Sequence, residues 1–85
     1  MNNITTSIRD KIREYVLNAA MADEAKISDG SLIFREGYFD SMGFMKMLTF
    51  IEENFEVKVN DADLVEENFE SINAISKFIV RKQHG

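Results

Sequence analysis

The residues best placed to do chemistry in this chain lie in Gly37-Tyr38-Phe39-Asp40-Ser41-Met42-Gly43. Here a serine stands where an irregular stretch gives way to a strongly periodic helical one. The first turn of a helix offers unpaired backbone N–H groups and the positive end of the dipole. A phosphodiester on Ser41 would meet both, so the position suits a covalently attached, negatively charged group. Asp40 can cap the helix and can also present a carboxylate to a modifying enzyme. Asp-Ser ahead of an apolar helix is equally an ordinary cap, and Asp40-Ser41-Met42-Gly43 alone does not separate the two readings.

Composition removes most competing chemistries. There is no cysteine, which excludes disulfide staples, thiolate metal sites and a cysteine nucleophile. The single histidine is His84, next to the end of the chain, so histidine catalysis and multi-histidine metal sites are effectively gone. A net charge of −5 argues against a nucleic-acid partner, which would require a basic face. No apolar run approaches the roughly 20 residues of a membrane helix, and Met1–Thr6 lacks the apolar segment of a signal peptide. The expectation is a single cytoplasmic domain, 1–85, without membrane insertion.

The elements that must position Ser41 follow from periodicity. Ile8, Ile12, Tyr15, Val16 and Ala19 form one face of a first helix, about 6–20, which Thr5, Thr6 or Ser7 could cap. Residues 21–40 form a long connection, an ordered loop with one helical turn. Ser28-Asp29-Gly30-Ser31 and Gly37 are its turn signals. Ile27, Leu32, Phe34 and Phe39 are its expected anchors. A second helix spans 41–56. Phe44, Met47, Leu48, Ile51 and Phe55 share its core arc, with Lys46, Thr49, Glu53 and Glu56 opposite and Met42, Met45 and Phe50 on the flanks. Val57 and Val59 alternate around Lys58 as a short extended link. Asn60 or Asp61 can cap a brief third helix reaching about Glu67, and Ser71 a fourth carrying Ile72, Ile75, Phe78 and Ile79. The fold class is all-α: a small four-helix bundle of three longer helices and a short third one, with a long loop between the first and second.

A helix, a long loop, Asp-Ser-Met-Gly opening a second helix, Glu52-Glu53-Asn54-Phe55 closing it, then a short and a final helix: this arrangement resembles the acyl carrier protein superfamily over about Ile8 to Val80. In that family the motif is usually Asp-Ser-Leu, and its serine receives 4′-phosphopantetheine. The resemblance therefore implies that Ser41 is the attachment point, with Asp40 as the preceding aspartate and Met42 in the leucine's place. It implies a carrier, not an enzyme, bearing acyl or aminoacyl groups as thioesters. The implied partners are a phosphopantetheinyl transferase, an acyl- or aminoacyl-activating ligase and downstream transferases. The expected docking residues are Met42, Met45, Lys46, Thr49, Glu52 and Glu53, on a monomer.

Departures bear on the pathway. Fatty-acid carriers typically bear acidic residues where this chain has Gly43 and Lys46, and Asp-Ser-Met-Gly looks more like D-alanyl and stand-alone aminoacyl carriers. Fatty-acid or polyketide synthesis remains the alternative within the class, and an unmodified helical interaction module the alternative outside it. Eight of the fifteen acidic residues lie between Glu52 and Glu70 against one base, Lys58, which is either a solvated face or a docking surface for a basic partner. Asp61-Ala62-Asp63 lacks the later ligand and glycine of a calcium loop. Phe44 on the core arc, three residues beyond Ser41, implies a filled interior behind the serine and hence a small cargo.

Overall fold

A computed structural model describes residues 4–23 and 25–84, with side chains from Ile8 onward. Among the described residues four helices follow in order: α1 Ile4–Ala20, α2 Ser41–Phe55, α3 Glu66–Phe69 and α4 Ile72–His84, with a 3₁₀ turn at Asp61–Asp63 before α3. The all-helical expectation holds, and no helix among the described residues is long and apolar enough to cross a membrane.

The core is assembled from one stripe of each helix plus three residues of the long loop. Ile8, Ile12 and Val16 of α1 meet Ile72, Ile75, Phe78 and Ile79 of α4, and Met47, Ile51 and Phe55 of α2 close over them. The α4 stripe is buried as its period predicts. On α1 the expected stripe is one residue too wide, because Ala19 is exposed. Tyr15, half-buried, stacks on Phe50 with ring centroids 4.3 Å apart, and burial raises its phenol pKa.

Helix ends follow local chemistry. The first helix begins at Ile4, so Thr5, Thr6 and Ser7 lie within it and not ahead of it as caps. It ends in a Schellman arrangement: Ala22 N–H donates to Leu17 C=O and Met21 N–H to Asn18 C=O, with Met21 left-handed at φ 54°. The second helix ends at Phe55, one residue short of expectation, because Glu56 turns left-handed at φ 53°. Ser71 caps α4 as expected, its hydroxyl accepting from Ala74 N–H at 3.1 Å. Buried Ser76 satisfies itself on Ile72 C=O at 2.8 Å.

The third helix differs from the reading of the sequence. A single helix through about Glu67 is replaced by the 3₁₀ turn, a tight bend at Leu64, an extended Val65 and a four-residue α3. Asp63 is the reason. Its carboxylate accepts from Asn60 N–H at 2.9 Å and from Lys82 Nζ at 2.8 Å, which closes the turn early and ties it to α4. The second half then starts afresh, and Phe69 reaches the core.

The long loop is ordered by contacts of its middle with α1, α4 and Glu70. Asp29 receives a bidentate bond from Arg13 of α1, at 2.7 Å to each oxygen, and its carbonyl accepts from Asn73 N–H at the start of α4. A helical turn follows, with Glu36 N–H donating to Leu32 C=O. Ile27 and Phe39 are buried as expected, whereas Leu32 and Phe34 are only partly covered. The deepest anchor is Ile33, which periodicity does not single out. Its side chain is fully buried, its N–H donates to Glu70 C=O, and its carbonyl accepts from Tyr38 and Phe39.

Candidate functional site

Ser41 is the first residue of α2 and is exposed. Asp40 precedes it in extended geometry and caps the helix, its carboxylate accepting from Gly43 N–H at 2.8 Å while its carbonyl accepts from Phe44 N–H. Ser41 thus stands at the end of the helix that carries the other unpaired N–H groups of the first turn and the positive end of the dipole.

Gly43 has a packing reason for its type. A Cβ there would stand 3.1 Å from the ring of Phe39 and 3.4 Å from the Asp40 carboxylate, so the close seat of the loop against α2 favours a residue without a side chain.

Two grooves flank this point, sharing Phe39 and Asp40. The first, about 440 Å³, is walled by Ser41 and Phe44 of α2, Phe34 and Phe39 of the loop, and Leu64, Val65, Glu66 and Phe69 opposite. Its phenylalanines meet edge to face: Phe34 with Phe39 at 5.8 Å and with Phe44 at 5.5 Å, and Phe44 with Phe69 at 5.2 Å. Phe44 is thus a half-buried wall of a surface cleft, which corrects its assignment to the filled core. The interior beneath is still closed by Met47, Ile51 and Phe78, each at most 1% exposed. The second groove, about 480 Å³, runs on the α1 side past Tyr38, Gly37, Met42 and Lys46. Gly37 turns there at φ 86°, a conformation that favours glycine.

Of the residues expected to dock partners, Met42 and Met45 are 68% and 63% exposed on α2 beyond Ser41. Lys46, Thr49, Glu52 and Glu53 are exposed along the same helix. Two of these have local bonds: Thr49 donates to Met45 C=O at 3.3 Å, and Glu52 accepts from Val59 N–H at 2.9 Å, fastening the link after α2. Phe34, Leu64, Val65, Glu66 and Phe69 escaped the reading of the sequence as site residues. The one signal was an apolar Leu-Val pair interrupting an acidic run.

A phosphopantetheine arm suits what is present: an exposed hydroxyl on a helix's first residue, N–H groups for a phosphodiester, and an apolar cleft alongside. A family model described as phosphopantetheine attachment site matches residues 10–79. No curated protein matches the chain significantly. The chain belongs to the phosphopantetheine-attachment family, the acyl carrier protein superfamily, whose members hold 4′-phosphopantetheine covalently.

Proposed function

We propose that this protein carries an acyl or aminoacyl group as a thioester on a 4′-phosphopantetheine joined to Ser41 Oγ, and delivers it to partner enzymes. The observation that carries this reading is an exposed hydroxyl on the first residue of α2, directly after its capping aspartate, inside a segment that matches the family. The arm's thiol supplies the thioester chemistry. Ser41 anchors it, the N–H groups opening α2 orient its phosphodiester, and Asp40 keeps that turn in place. The chain contributes position and recognition and is not an enzyme. Its tether raises the cargo's local concentration at each partner.

The docking surface is Met42 and Met45 with Lys46, Thr49, Glu52 and Glu53 around them. The polarizable methionines adapt to more than one partner, and the exposed acidic residues from Glu52 to Glu67 suit a basic one. The partners are a phosphopantetheinyl transferase, an activating ligase and downstream transferases, and the carrier acts as a cytoplasmic monomer. Because the interior behind α2 is closed, shelter is confined to the surface cleft. The cargo is an amino acid or a short acyl group.

The test is modification by a broad-specificity phosphopantetheinyl transferase with coenzyme A, followed by mass spectrometry. Wild type gains one phosphopantetheine and Ser41→Ala gains none; an unmodified wild type, or a modified Ala variant, overturns the assignment. In the same preparation a long-chain cargo should leave the thermal midpoint unchanged, and marked stabilisation would refute the short-cargo reading.

A further inference from the structure

The segment Leu64–Phe69 forms the outer wall of the cleft beside Ser41, and it is held in an uneven way. Its two ends are secured. Before it, Asp63 is fastened to Lys82 of α4. At its far end Phe69 is buried and Asn68 accepts from Arg81 at 2.8 Å, and just beyond it Glu70 C=O accepts from Ile33 N–H. Between these, Leu64 and Val65 are each 45% exposed. Val65 supplies no side-chain cap, and a helix of four residues has little stability of its own. Among the described residues, the one polar side-chain contact from residues 64–66 to the loop wall is Arg35 Nε to Glu66 Oε2 at 3.0 Å. Arg35 adjoins Phe34 and Glu66 lines the cleft, so this pair joins the two walls on the solvent side.

We infer that the Arg35–Glu66 ion pair is a latch on the cleft: closed, it holds residues 64–66 toward the loop wall and keeps the apolar part of a short cargo between them, and open, it lets that cargo in and out. Both side chains are more than half exposed, so the latch is weak and screened by salt. A weak closure suits a carrier, which must release what it shelters. That the occupant is cargo rests on the carrier reading; the latch itself does not.

Both parts can be tested separately. On the unmodified chain, amide hydrogen exchange at residues 64–69 should be about two- to fivefold faster in Glu66→Gln and in Arg35→Gln, the range expected for loss of an exposed pair. Wild type should show the same acceleration at high salt, with α4 amides unchanged. The reversed double variant, Arg35→Glu with Glu66→Arg, should recover most of the protection. Exchange at wild-type rates in both single variants, or no recovery in the reversed pair, overturns the latch. On the holo-protein loaded with a hexanoyl thioester, hydroxylamine cleavage should be faster in the single variants than in wild type and near wild type in the reversed pair. Equal cleavage rates with altered exchange would refute the gating role. Failure of Ser41 to accept an arm would count against the carrier reading and leave the exchange result standing.

Discussion

Asp40 and Gly43 are joined by a 2.8 Å hydrogen bond from the glycine N–H to the aspartate carboxylate, and that bond seats Ser41 at the exposed start of α2. The glycine serves two ends at once: its N–H is the cap's donor, and its missing side chain lets Phe39 close in. A Cβ here would press on the Phe39 ring at 3.1 Å, so this seat of the loop against α2 favours glycine.

Replacing Asp40 with Ala should destabilise the fold by about 1 kcal/mol, the usual cost of a lost cap. Asp40→Asn keeps an acceptor and should lose much less. Denaturant midpoints of the two variants check the difference; equal losses would show that the cap bond is not the source.

Met21 ends α1 in the left-handed region at φ 54° and is 93% exposed, so its side chain gains little from packing while its backbone is strained. Met21→Gly should raise stability by roughly 0.5–1 kcal/mol. A lower thermal midpoint in the glycine variant would contradict this.

Met45 stands clear of the Met47–Ile51–Phe55 stripe. Met45→Glu should leave stability within about 0.5 kcal/mol of wild type, as surface changes do. It should also slow modification or loading by a partner enzyme. Unfolding without any effect on the loading of the folded fraction would make Met45 a packing residue.

Asp63 is held below the usual carboxylate range by the hydrogen bond from Lys82, then by the backbone N–H of Asn60, partly opposed by desolvation. A carboxyl with a lowered folded pKa stabilises the fold at pH above its ordinary value near 3.8, and this contribution is lost as pH falls through the folded value. Acidification below that ordinary value should therefore loosen residues 60–64, and Asp63→Asn should abolish that part of the pH dependence. Chemical shifts of Asn60 and Leu64 across an acid titration report it. An unchanged profile in the variant would refute the assignment.

What the sequence by itself determined is the part of this protein that depends on neighbours along the chain. Helical period picks out the buried face of α4 and, in Met47, Ile51 and Phe55, the buried part of the α2 arc, and Asp40 and Ser71 announce caps that both form, because a cap joins residues three positions apart. Asp-Ser-Met-Gly in its setting pointed to the family. Tertiary structure decided the rest. Ile33 is the loop's deepest anchor because Glu70, far along the chain, receives its N–H, and the parity of apolar residues means little where the backbone turns. Asp63 splits the expected third helix because Lys82 of α4 reaches it. The cleft beside Ser41 needs Phe34, Phe44 and Phe69 from three separate segments, and its outer pair, Arg35 and Glu66, is 31 residues apart. Local periodicity carries no information about such meetings: they exist only once the burial of α1 against α4 has fixed where the loop and residues 61–70 must run.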